Sequence, residues 1–119
     1  MLGHISLYVK DFQKGKDFYN KVLPLLGYHL DKDFEGAAGF MAEGNTDFWL
    51  MGSGEPIHKQ HVAFVAKDEK TVHEFYATAL AAGGKDNGPP GPRPNYGPNY
   101  YAAFVLDPEG NNIEGVFWG

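Results

Sequence analysis

The sequence predicts an α+β fold built from two copies of one small module, each a strand, a helix and three more strands. Three observations carry this reading. The chain matches itself when displaced by 57 residues, the step from His4 to His61. Each copy opens with strand-like alternation and continues with a helical apolar stripe. Each then ends in short apolar runs separated by glycine-bearing turns.

The repeat is gapless. His4 falls on His61, Lys10-Asp11 on Lys67-Asp68, Phe18-Tyr19 on Phe75-Tyr76, Leu23 on Leu80 and Gly27 on Gly84. A repeat of this length dictates architecture. It divides a single domain, 1–119, into module 1 (1–57) and module 2 (58–119). In His4-Ile5-Ser6-Leu7-Tyr8-Val9, the residues Ile5, Leu7 and Val9 share one face, and His4, Ser6 and Tyr8 share the other. That is the period of a half-buried strand, and 61–65 copies it. Asp11 and Asp68 are suited to cap the helices that follow. Phe18, Tyr19, Val22, Leu23 and Leu26 form one helical face, matched by Val72, Phe75, Tyr76, Ala79 and Leu80. Gly27 and Gly83-Gly84 stop the helices, and Pro24 predicts a kink or early end in the first.

Strand signals follow at 28–30, 37–42 and 48–51, then near Lys85, at 101–106 and at 112–118. Asp107-Pro108-Glu109-Gly110-Asn111 reads as the turn joining the last two. Between 86 and 100 the chain is rich in Pro, Gly and Asn. Its prolines remove backbone donors and forbid helix or interior strand. With no counterpart in module 1, this stretch reads as an inserted loop, and long loops in compact domains are usually functional.

Composition narrows the function. The net charge of -5 gives no basic surplus for nucleic acid. The absence of cysteine excludes disulfides, thiolate nucleophiles and zinc–cysteine sites. No apolar run approaches a membrane span, and Met1-Leu2-Gly3-His4 lacks signal-peptide character. The expectation is a cytoplasmic protein with no nucleic-acid or membrane partner.

His4 and His61 stand at repeat-equivalent places, and Glu114 stands on the last strand. If the halves pack with pseudo-twofold symmetry, the two imidazoles approach one another. Two imidazoles and a carboxylate can hold one divalent ion (iron, manganese, zinc or nickel) and leave positions open. Tyr8 and Ser6 share the His4 face, and Tyr101 or Tyr100 follows the loop; Tyr8 and Tyr101 are the candidate proton-transfer groups. Arg93, the only arginine, can clamp a carboxylate or phosphate. Trp49, Phe48 and Tyr96 can line an aromatic pocket, with Met51 beside them. His58 has no repeat partner and reads as a turn residue. His73 reads as an exposed helix residue.

These residues together resemble the vicinal oxygen chelate superfamily. That group includes glyoxalase I, extradiol dioxygenases, fosfomycin-resistance thiol transferases, methylmalonyl-CoA epimerase and bleomycin-binding proteins. The matching pieces are residues 4–11, Phe18-Tyr19 through Leu26-Gly27, 61–64, and 103–111 through Ile113-Glu114. The resemblance implies paired βαβββ modules forming a curved, half-open barrel. It implies metal ligands on the first strand of each module and on the last strand of the second, here His4, His61 and Glu114. It also implies a homodimer with each site near the interface.

One departure from the glyoxalase pattern is visible. Aligning Gly44-Asn45 with Gly110-Asn111 sets Phe48 against Glu114; a shift by one sets Trp49 there. Asp47 is the nearby carboxylate, and it is out of step. A lyase mechanism that uses a second metal carboxylate as base is therefore disfavoured. The resemblance leaves two readings. One is a metal-dependent enzyme acting on a small oxygen-bearing metabolite or xenobiotic, by stabilising an enolate or oxyanion. The other is a metal-free protein that binds a drug or antibiotic.

Overall fold

The computed structural model describes residues 3–53 and 59–119. Module 1 contributes β1 (Ile5–Val9), α1 (Phe12–Val22), a 3₁₀ turn (Leu23–Leu26), β2 (His29–Phe34), β3 (Ala37–Ala42) and β4 (Asn45–Gly52). Module 2 contributes β5 (His61–Val65), α2 (Glu69–Ala81), β6 (Lys85–Pro92), β7 (Tyr100–Leu106) and β8 (Asn112–Trp118). The strands form two four-stranded sheets with the same order, β1-β4-β3-β2 and β5-β8-β7-β6. In each, the first strand runs parallel to the last of its module and the others pair antiparallel. This is the α+β fold of paired βαβββ modules. Neither sheet closes on itself, and bulges in β2–β3, β3–β4 and β6–β7 bend them into open, curved surfaces.

Local chemistry sets the helices. The Asp11 side chain accepts from the Lys14 amide and that of Asp68 from the Thr71 amide, each satisfying an orphan donor of a first turn. Helix α1 ends at Val22, just before Pro24, and the chain tightens into the 3₁₀ turn. Gly27 then takes φ 87°, a left-handed value that stops the turn without a Cβ penalty.

One apolar core serves both modules. Leu7, Val9, Phe18, Tyr19, Phe40, Phe48 and Leu50 join Phe64, Val72, Phe75, Val105 and Ile113 in a single buried cluster. Phe64 is the joint, its ring 5.2 Å from Phe48 and 5.4 Å from Tyr28, edge-on to both. Polar ties add precision. Glu109 accepts from the backbone amides of Lys10, at 2.7 Å, and Asp11. The Tyr19 hydroxyl donates to Asp107 at 2.7 Å in buried surroundings. The opposite sheet faces carry Ser6, Tyr8, Trp49 and Met51 on one side, and His61, Ala63, Val65 and Glu114 on the other.

The stretch from 86 to 100 corrects the expectation of an insertion with no counterpart. Its first part is β6, which occupies the same place in its sheet as β2 does in the other. Proline is tolerated there because β6 is an edge strand, where one side of the backbone needs no ladder partner. Register shifts around Gly88 and Gly91 accommodate the residues that break pairing. Only 93–99 remains a loop. It is closed by the Arg93 amide donating to the Tyr100 carbonyl at 2.8 Å.

Candidate functional site

Glu114 is the buried member of the candidate ligand set. It stands on β8, between Ala63 of β5 and Phe104 of β7. Its side chain is 4% exposed. A carboxylate so buried needs partners, and it has two. His61 Nε2 lies 3.2 Å from Oε1, and the Tyr100 hydroxyl donates to Oε2. The ring of His61 is itself oriented, with Nδ1 2.9 Å from the Asn112 carbonyl. A carbonyl only accepts, so Nδ1 carries the proton.

That tautomer decides what the pair can hold. In neutral His61 the Nε2 lone pair then faces a carboxylate oxygen, acceptor against acceptor. A proton or a metal cation between the two atoms makes the contact attractive. Metal-ligating histidines characteristically donate their other N–H to a carbonyl, which fixes ring and tautomer. His61 and Glu114 therefore fit a divalent ion by their donor types and by this orienting contact. Tyr100 supplies a third feature. Burial first, then its bond to Glu114, pushes its phenol up to about 12. It stays protonated and donating at ordinary pH.

Aromatic side chains extend the site along the sheet. Tyr100 stacks on Trp118 at 5.9 Å and 5°, and Tyr96 meets Tyr100 edge-on at 5.4 Å. With Gly97, Pro98 and Asn99 they line a cleft of about 430 Å³. On the other side, Phe104 stacks with His61, centroids 6.5 Å apart. The Arg93 guanidinium lies 5.4 Å from the Phe104 centroid.

The remaining candidates from the sequence fall elsewhere. His4 is exposed just before β1. Among the described residues of one chain, no three His, Asp or Glu side chains gather as a metal site, so His4 does not complete the His61–Glu114 pair within the chain. Tyr8 lies on the outer face of the first sheet, 46% exposed, with its backbone tied to the Gln60 amide. Trp49 shares that face and stacks with Phe34 at 6.5 Å. Phe48 is 1% exposed and packs in the core against Phe40, Tyr19 and Phe64; it also lines a cleft of about 710 Å³, which neither Trp49 nor Tyr96 reaches. Tyr101 is a correction. It faces away from Glu114, and its hydroxyl lies 2.6 Å from His73 Nε2 of α2. His73 is exposed as expected. His58 lies outside the described residues.

The repeat alignment is corrected too. Ser6 and Ala63 are repeat-equivalent, and they pair with Trp49 and Glu114. Trp49, not Phe48, occupies the place of Glu114 in module 1. Asp47 sits two residues away, in the wall of the same cleft of about 710 Å³ with Tyr28, Glu43 and Lys67. Among the described residues its Oδ1 has no hydrogen-bond partner, though it is buried. Burial first, then the neighbouring Asp47 carboxylate, holds the Tyr28 phenol above its ordinary range. Neither His61 nor Glu114 lines this cleft.

Comparison with known proteins follows the fold. The profile of the Glyoxalase/Bleomycin resistance protein/Dioxygenase superfamily matches residues 1–114. A glyoxalase/bleomycin resistance protein from Albidiferax ferrireducens T118 superposes with a TM-score of 0.86 at 26% identity, covering 100% of this chain and 99% of that one. A glyoxalase-related enzyme from Fulvimarina pelagi gives 0.77 at 19% identity, covering 98% and 87%. Lactoylglutathione lyase from Agrobacterium tumefaciens gives 0.72 at 21% identity, covering 98% and 92%. The last two likenesses concern the fold alone. No curated protein matches the sequence significantly.

Proposed function

Because the chain belongs to the Glyoxalase/Bleomycin resistance protein/Dioxygenase superfamily, we propose that it is a metal-dependent enzyme acting on a small oxygen-bearing molecule. The observation that carries the reading is the His61–Glu114 contact, with Nδ1 committed to the Asn112 carbonyl and Nε2 turned to a buried carboxylate. His61 and Glu114 would hold the ion, and His4 of a second copy in a homodimer would complete the set. Iron, manganese, zinc and nickel all suit these ligand types. A divalent ion held there would supply Lewis-acid chemistry, able to stabilise a developing enolate or oxyanion.

The chain's own groups do the rest. Asn112 fixes the His61 ring. Tyr100 keeps a proton on its hydroxyl beside Glu114, where it can be handed to a substrate oxygen. Tyr96, Tyr100 and Trp118 offer flat apolar surface that excludes water from one side of the substrate. Trp49 at the module 1 position removes the second metal carboxylate that a glyoxalase-type proton transfer would use as base.

The exposed Tyr96 and Trp118, beside Tyr100, also favour the second reading, a metal-free binder of a flat cationic compound. Elemental analysis of protein purified without chelator separates the two. The expected result is about one divalent ion per chain, lost in His61→Ala and Glu114→Gln. Wild type that holds no metal, and takes up none of the four ions on titration, refutes the enzyme reading and leaves the binder.

A further inference from the structure

We propose that Arg93 is a preorganised anchor for an oxyanion, so that the substrate carries a carboxylate or phosphonate head beside its reacting oxygens. This rests on the metal reading only for where those oxygens lie. In strand order β5-β8-β7-β6, the sheet face opposite the shared core carries His61, then Glu114, then Phe104, then the Arg93 guanidinium over β6. The anchor and the ligand pair thus flank one aromatic ring on one face.

The cradle around the guanidinium is built for it. Nη2 donates to the Pro89 carbonyl at 2.7 Å and Nη1 to that of Pro92 at 3.4 Å. The ring of Phe104 supports its plane. Space comes from two glycines: a Cβ on Gly88 would lie 3.3 Å from Nη2, and one on Gly91 would lie 3.3 Å from Nη1. A side chain at either place would stand in tight contact with the guanidinium, which would have to give by a few tenths of an ångström. The Pro-Gly composition of β6 thereby acquires a reason that edge-strand tolerance alone does not supply.

The charge is left unanswered. This is the only arginine in a chain with 15 acidic residues. Among the described residues it forms no ion pair with any of them. Guanidinium has five N–H donors, and the two proline carbonyls use two of them. A fixed, planar, incompletely bonded guanidinium favours a bidentate oxyanion and loses little freedom on binding it. A lysine in its place would carry the charge without the fork.

Calorimetric titration of the zinc-treated protein with pyruvate, phosphonoacetate and methyl pyruvate tests this, with metal content read on the same samples. Both anions should bind, and methyl pyruvate should bind about tenfold more weakly or worse than pyruvate. Arg93→Gln should weaken the anions by about tenfold or more, Arg93→Lys by less, and neither should change metal content or the melting temperature. The stronger of the two anions identifies the preferred head. If wild type binds neither anion at millimolar concentration, the proposal is overturned. It is overturned equally if Arg93→Gln binds them as wild type does, or if the ester matches the acid. A chain without metal whose anion affinity still falls in Arg93→Gln would refute the metal reading and keep the anchor.

Discussion

Tyr100 and Tyr101 are adjacent, identical and on opposite faces of β7. One donates to Glu114 and the other meets His73. The distinction was available from the sequence. Counting outward from the Asp107–Asn111 turn, Leu106 pairs with Asn112 and Phe104 with Glu114, so Tyr100, not Tyr101, shares the Glu114 face. His61 and Glu114 were legible because residue type and repeat position singled them out. Arg93 was legible as a lone charge, but its cradle was not, since it depends on carbonyl directions. The turn motif carried its signal for a structural reason. Asp107 accepts from the Glu109 and Asn111 amides, the Asn111 side chain and Tyr19. The Tyr100 phenol has a pH signature. Its value is raised from 10.0 to about 12, so folding favours its protonated form. The stability it contributes is complete below pH 10 and is lost as pH rises through about 12. In urea titrations, the advantage of wild type over Tyr100→Phe should therefore shrink across that window. A constant gap from pH 8 to 12 would disprove the coupling to Glu114.

At the scale of elements, the α/β alternation and the caps were readable, because hydrophobic period and N-cap chemistry are local. The extent of β6 was not. Proline content argues against a strand unless the strand is known to lie at an edge, and edge position is set by the sheet order of the whole module. The same holds for Gly115. In sequence it is one glycine in β8; in the fold it is where α2 touches the sheet. A Cβ there would stand 2.7 Å from Cδ2 and 3.0 Å from Cγ of Phe75, whose ring is fully buried. The ring cannot swing away without disturbing the shared core. Gly115→Ala should therefore destabilise the chain by about 1–3 kcal/mol, as overpacking does. Chemical denaturation measures this directly, and an unchanged midpoint would mean that α2 can lift from the sheet at no cost.

For the whole molecule, the decisive fact is that the shared core lies on one face of each sheet, while the ligand-type residues lie on the others. Tyr8 and Phe34 are exposed on module 1, and Val65 and Trp118 on module 2, with Val65 64% exposed. Two outer faces bearing apolar side chains, and a His4 separated from its expected partners, fit the dimer proposed above, in which a second copy would bring module 1 of one chain onto module 2 of the other. A twofold dimer then carries two identical composite sites. Mixing variants tests this in a way that sizing does not. His4→Ala and Glu114→Ala homodimers should each lose metal retention. Unfolded together and refolded at equal amounts, half of the dimers are mixed. Each mixed dimer holds one site with both lesions and one with none, so retention should recover to about one site in four. If all three ligands came from one chain, every site would keep a lesion and no metal would return.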